Sequence, residues 1–156
     1  MGEKGQKDRD KSQKQKEVKQ QQQTKGKQVK QQQQVTDLDL QAKCGKDANA
    51  WFHANWQRDK DTASLDYSNH YNKAVNKCFI LVQFNSWLGV KNTFLAKDVI
   101  AYDVFENVEK AHINEVQNVN GKDDFVSLNC TIDHSKKDVK TFQDCFNQIH
   151  SAYMEK

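Results

Sequence analysis

The strongest hydrophobic pattern in the chain is the run from Lys77 to Phe84, where six strongly apolar residues are interrupted only by Gln83. Successive side chains of a strand point to opposite faces, so a continuous apolar run predicts a strand that is buried on both faces. A length of about eight residues is typical of a strand rather than a helix. We therefore predict that this segment is the central strand of one small domain.

Two segments before this strand have apolar residues at the three- and four-residue spacing of amphipathic helices. The first would begin at Thr36, a residue type that caps helices, and run to about Arg58, with Cys44 on its apolar stripe. The second would begin at Asp61 and carry Tyr71 on its apolar face until the central strand begins. The pattern therefore predicts two N-terminal helices.

After the central strand, the pattern favours an antiparallel sheet. Residues 93–105 and 110–119 contain good strand formers, and residues 125–132 alternate cleanly, with Cys130 expected to face inward. Between the last two segments lies Asn120-Gly121, a strong hairpin signal because a type I′ turn needs positive φ at both central positions.

The end of the chain predicts one more helix. Ser135 to Asp138 has the spacing of a capping box, and Phe142, Ile149 and Tyr153 lie on one helical stripe with Cys145 beside it. The predicted fold class is α+β: two N-terminal helices, an antiparallel sheet of three or four strands, and a C-terminal helix packed on one face.

Charge divides the chain into two parts. Residues 1–34 hold ten of the 24 Lys and Arg residues, four of the 21 Asp and Glu residues and twelve Gln. This tail carries about +6 and the rest of the chain about −3. Residues 1–34 contain too few apolar side chains to offset the entropy of ordering, so we predict a disordered basic tail followed by a single domain over residues 35–156.

The four cysteines are each predicted where a helix face meets the sheet. This placement pairs Cys44 with Cys78 and Cys130 with Cys145. Four buried, reduced thiols are the alternative, because free cysteine behaves as a small apolar residue in the interior of cytosolic proteins. The cysteines show no metal-ligand spacing.

One block of sequence resembles a known pattern. The block is His70-Tyr71-Asn72-x-x-x-Asn76-Lys77-Cys78-Phe79, and it is similar to a block in a family of small uncharacterised bacterial proteins, many of them exported or lipid-anchored. The resemblance extends over residues 44–156 and includes a late Cys-Phe pair at Cys145. It implies an extracytoplasmic domain and no particular activity. The Lys/Gln-rich tail departs from this family, because it has no apolar centre of a secretory signal peptide.

Few residues point to chemistry. A dyad of His70 and Cys78 would be the one candidate for an enzyme, but a thiol that opens an apolar strand is inert, and we expect no enzymatic activity. We also expect no cofactor, no metal site and no transmembrane segment. The candidate binding surface comprises His70, Tyr71, Trp56 and Trp87, in which the two indoles would form an aromatic patch unless they simply pack at the edge of the core.

Two functions fit these observations. The first is a non-enzymatic, disulfide-stapled α+β domain that binds an unknown protein or small ligand outside the cytoplasm, in the periplasm or after secretion. The second is a cytoplasmic domain with reduced cysteines, whose basic tail binds nucleic acid or an anionic surface weakly and without sequence specificity.

Overall fold

The structure, a computed structural model, describes residues 36–89, 91–119 and 125–155. The predicted tail (residues 1–34) and the predicted turn at Asn120-Gly121 lie outside the described residues. The chain divides after Leu40 into two units. Of the first unit, residues 36–40 are described and are helical. The second unit begins at Gln41 and contains the whole sheet.

The described residues form an α+β fold with one N-terminal helix, a six-stranded antiparallel sheet and a C-terminal helix packed on the sheet. In chain order, the elements are α1 (residues 36–55), β1 (Thr62–Asn72), β2 (Lys77–Leu88), β3 (Phe94–Asp103), β4 (Val108–Asn118), β5 (Phe125–Ile132), β6 (Ser135–Lys136) and α2 (Phe142–Tyr153). Each strand pairs with the next one in sequence, in the order β1-β2-β3-β4-β5-β6. The sheet is therefore a simple meander.

The prediction of a second N-terminal helix is wrong, because Thr62–Asn72 is strand β1. Its residues pair with β2 from Thr62 opposite Ser86 to Asn72 opposite Lys77. The helical spacing in this segment came from residues that now lie on two strands, since Tyr71 is in β1 and Cys78 is in β2. Pairing with β2 from one end of β1 to the other outweighs the local helical pattern.

The prediction of a doubly buried strand at Lys77 is confirmed. Residues Cys78 to Val82 are all buried, and β2 has a neighbouring strand on each side. It is the second strand of six rather than the middle one. It also extends to Leu88, beyond the predicted end at Phe84, and the chain turns at Gly89, where φ is +79°.

The two helices lie on opposite faces of the sheet. Cys78 is bonded to Cys44 of α1, whereas the next residue, Phe79, packs against Tyr153 of α2, with ring centroids 5.0 Å apart. Neighbouring residues of a strand point to opposite faces, so each helix covers its own face. The α2 side holds the larger core, with Leu81, Ile113 and Ile149 at its centre.

The C-terminal helix begins later than predicted. Ser135 and Lys136 form β6 and pair with Ile132 and Thr131, so they do not open a helix. A turn with positive φ at residues 133 and 134 makes this pairing possible. The helix begins at Phe142 instead, because the hydroxyl of Thr141 accepts a hydrogen bond from the N–H of Asp144 and caps it.

Within the described residues, no helix is both long and apolar enough to cross a lipid bilayer.

Candidate functional site

A pocket of about 350 Å³ lies beside the C-terminal end of α1, where β1 begins and β2 ends. Five of its lining residues are apolar or aromatic: Trp56, Leu65, Phe84, Trp87 and Leu88. The other five are polar: Gln57, Asp59, Asp61, Thr62 and Ser86. A volume of this size is at the lower end of the range for small-ligand pockets.

The apolar wall comes from three consecutive segments of the chain: the residues just after α1, then β1 and then β2. Leu65 of β1 lies directly opposite Phe84 of β2, so their side chains share the α1 face of the sheet. Trp56, just after α1, packs over Phe84, with ring centroids 5.1 Å apart. It also contacts Tyr102 of β3 at 6.5 Å. These contacts hold the indole in place while leaving it partly exposed to the pocket.

A tight turn between α1 and β1 forms the polar rim. The carboxylate of Asp59 accepts hydrogen bonds from the Thr62 hydroxyl at 2.6 Å and from the N–H of Asp61 at 3.0 Å. These bonds, the Thr62 hydroxyl first, lower the pKa of Asp59, so it stays ionised at neutral pH. Among the described residues, the carboxylate of Asp61 has no hydrogen-bond or ion-pair partner. The rim thus presents two carboxylates.

Among the described residues, no basic side chain lines this pocket. Arg58 and Lys60 are neighbours of the rim in sequence, but the Arg58 guanidinium donates to the backbone carbonyl of Leu65 at 3.0 Å. That carbonyl belongs to β1, the edge strand of the sheet. Arg58 therefore provides a hydrogen-bond donor for a carbonyl of the edge strand.

Trp56 and Trp87, named from the sequence as an aromatic patch, both line this pocket. They contribute differently. Trp87 follows Ser86 in β2, so strand alternation directs the two side chains to opposite faces. The backbone N–H of Trp87 donates to the backbone carbonyl of Asp61 at 2.8 Å, and this bond joins the end of β2 to the rim. Trp56 supplies the aromatic wall, and Trp87 holds the turn.

The other two residues of the candidate binding surface lie elsewhere. Tyr71 is buried, and its hydroxyl donates to the side chain of Asn76 within the turn between β1 and β2. His70 is opposite Phe79, on the α2 face of the sheet. The structure therefore brings together Trp56 and Trp87 but not His70 and Tyr71.

The dyad of His70 and Cys78 is excluded by the fold. Cys78 is opposite Tyr71 in the pairing of β1 with β2, so Cys78 and His70 are on different faces of the sheet. The sulfur of Cys78 is also bonded to Cys44. No thiolate is available at Cys78 for an imidazole to activate.

The sequence block that suggested a family resemblance builds the turn between β1 and β2. Asn72 is buried and its side chain accepts from the N–H of Ala74, while Asn76 adopts a positive φ of 54°. Lys77 then forms ion pairs with Asp103 at 2.7 Å and with Glu106 at 2.6 Å. These contacts give the block a structural role.

Asp103 anchors the neighbouring turn between β3 and β4. One carboxylate oxygen pairs with Lys77, and the other accepts from the N–H groups of Phe105 and Glu106. Burial raises the pKa of Asp103, but the bonds from Lys77 and from the backbone outweigh it and lower the pKa overall. Hydrogen bonds with the carboxylates of Asp103 and Glu106 raise the pKa of Lys77, which remains a cation.

The two disulfides join the pairs expected from the sequence: Cys44 with Cys78, and Cys130 with Cys145. All four residues are almost fully buried, and none of the cysteines is a free thiol. The first bridge ties α1 to the sheet, and the second ties β5 to α2. The bridges are consistent with an extracytoplasmic location.

A second polar cluster lies on β3 and β4 and was missed from the sequence. The buried carboxylate of Asp98 lies 2.9 Å from His112 Nε2 and accepts from the amide of Asn114 at 2.8 Å. The bond to Asp98 raises the pKa of His112 more than burial lowers it. His112 and Asp98 are in different strands, and only the register of β3 with β4 brings them together.

No group of three or more His, Cys, Asp or Glu side chains able to hold a metal ion occurs in the part of the chain that the structure describes. The basic tail lies outside that part, so its binding to nucleic acid or to an anionic surface stays a prediction.

No family model, curated protein or solved structure matches the chain. The resemblance to exported bacterial proteins therefore also stays a prediction.

Proposed function

We propose that this chain is a non-enzymatic, disulfide-stabilised α+β binding domain that works outside the cytoplasm, and that the pocket beside α1 is its ligand site. The observation that carries the proposal is the pocket itself. It combines an apolar wall with a few polar groups at the rim, which is the usual composition of small-molecule sites.

The architecture supports a preformed site. Trp56 and Leu65 reach the pocket from different elements, yet both pack at Phe84 on the rigid sheet. The disulfide between Cys44 and Cys78 joins α1, which leads into Trp56, to the same strand. A site built on fixed elements loses little conformational entropy when a ligand enters.

Binding rather than catalysis fits the residues around the pocket. Among the described residues, its lining contains carboxylates, hydroxyls and one amide, but no histidine, cysteine or lysine that would act as a nucleophile or as a base near neutral pH. The extracytoplasmic assignment rests on the two disulfides and on the resemblance of the block at residues 70–79 to exported bacterial proteins.

The test is a fragment titration monitored through the indole N–H resonances of the ¹⁵N-labelled protein. The chain has three tryptophans, and a Trp56→Phe variant identifies the resonance of interest. We expect a set of small aromatic fragments to contain members that shift the Trp56 resonance in a saturable way.

A filled pocket provides the matched control. Ser86→Tyr adds an aromatic ring to a partly exposed lining position of β2, and Ser127→Tyr makes the same change at a partly exposed position of β5 outside the pocket. Fragments should lose their effect in the first variant and keep it in the second. The proposal is wrong if no fragment shifts the resonance. It is also wrong if both variants still unfold cooperatively and lose fragment binding to the same extent.

A further inference from the structure

We propose that the pocket beside α1 takes a small organic cation, in which an ammonium group with N–H donors is carried on an apolar body. This inference rests on the proposed function and names the class of its ligand. It derives from the way the pocket separates an aromatic wall from an acidic rim.

The aromatic wall suits both parts of such a ligand. The ring centroids of Trp56 and Phe84 are 5.1 Å apart, their planes are inclined at 49°, and both residues line the pocket. An apolar body gains from burial against these rings and Leu65. A cation over an indole face is also attracted by the ring quadrupole, and tryptophan is the strongest partner for this contact.

The rim supplies acceptors and negative charge. Asp61 offers a carboxylate that has no partner among the described residues, and Asp59 contributes a second negative charge although its own bonds are used in the turn. A ligand N–H donor would complete the hydrogen bonding of Asp61. A carboxylate or phosphate ligand would instead meet two like charges at the rim.

The basic residues nearby do not make the charge of the pocket lining positive. Arg58 is held at the edge of the sheet by the carbonyl of Leu65, and neither Arg58 nor Lys60 lines the pocket. Counted over the described residues, the pocket lining therefore carries two negative charges and no positive one.

The experiment compares three probes of nearly the same shape: 2-phenylethylamine, 2-phenylethanol and 3-phenylpropanoate, which are cationic, neutral and anionic at neutral pH. Each is titrated into the full chain, and the Trp56 indole N–H resonance is monitored. We expect the amine to bind most tightly and the carboxylate most weakly. Added salt should weaken the amine and leave the alcohol unchanged, because the Debye length falls to about 3 Å at 1 M salt.

The Asp61→Asn variant removes one rim charge and keeps the shape of the side chain. It should weaken the amine roughly two- to five-fold, the range of an exposed ion pair, and weaken the alcohol by less, because the alcohol carries no charge. Asp138→Asn is the matched control, since Asp138 is an exposed carboxylate in the loop between β6 and α2. It should change nothing.

Equal binding of the amine and the alcohol, or equal effects of the two Asp→Asn variants, would overturn the cation inference while leaving the ligand pocket in place. If the amine causes no shift at all, the inference is wrong, and the broader fragment titration decides separately whether the pocket binds ligands.

Discussion

The two disulfides should contribute unequally to stability, because they close loops of different length. Cys44 and Cys78 are 34 residues apart, whereas Cys130 and Cys145 are 15 apart. A cross-link restricts the unfolded chain, and the loss of entropy grows with the logarithm of the loop length. This relation gives about 3.8 kcal/mol for the longer loop and about 3.0 kcal/mol for the shorter one at 25 °C.

Replacing both cysteines of a pair by alanine tests this reasoning. All four cysteines are at most 1% exposed, so the cost of removing two buried sulfurs is similar for either pair and cancels in the comparison. We expect the Cys44→Ala, Cys78→Ala variant to lose about 0.7 kcal/mol more than the Cys130→Ala, Cys145→Ala variant. Either loss is a large part of the 5–15 kcal/mol typical of such a domain.

The assay is urea unfolding at 25 °C monitored by circular dichroism, with the slope fitted separately for wild type and for each variant. The slope also reports whether a variant exposes less surface on unfolding, as it would if α1 had already left the sheet. The reasoning is refuted if removal of the shorter loop costs as much as or more than removal of the longer one while both variants unfold in one cooperative step.

Four further predictions concern charge and redox state. Lys77→Met removes the cation that pairs with the buried Asp103 carboxylate and should destabilise the protein in urea unfolding. Lys43→Met breaks an exposed ion pair and should cost less, below about 1 kcal/mol. Folding lowers the pKa of Asp103, so its pairing should stabilise the protein above pH 3.8, and this stability should be lost as the pH falls through the lowered value. The Asp103→Asn variant should therefore show a flatter dependence of melting temperature on pH at the acid end. The bond to Asp98 raises the pKa of His112, so the stability that this bond contributes is present below pH 6.5 and lost as the pH rises through the raised value. Asp98→Asn should move the NMR titration midpoint of His112 down towards 6.5. An unchanged midpoint would contradict the assignment. The native protein should show no free thiol to a colorimetric reagent with or without denaturant, and reactive thiols that appear only on denaturation would instead indicate the reduced, cytoplasmic form.

Much of the fold can be read from local pattern. The continuous apolar run of β2 must pack against other elements on both faces of the sheet. The apolar stripe through Ile149 and Tyr153 must pack against one partner. The cysteine pairs could be named because each sulfur was on an apolar face, and apolar faces must meet in the interior. These inferences depend only on side-chain periodicity and burial.

The sequence misled where local and distant interactions disagreed. Thr62–Asn72 has helical spacing, but its backbone groups gain hydrogen-bond partners from β2. Other backbone groups of β1 bond to the side chains of Gln41 and Arg58, in and just after α1. Such pairing energy depends on a segment that lies further along the chain. A short window of sequence does not contain it.

The candidate site was decided by tertiary structure for the same reason. From the sequence, Trp56 and His70 belonged to one candidate binding surface. The register of β1 with β2 instead sets Leu65 opposite Phe84 under Trp56 and directs His70 to the other face. The sequence by itself determined which residues must be buried and which element types could bury them. Strand register decided which of them meet, because it is set by backbone hydrogen bonds between strands, and the pattern within one segment does not fix those bonds.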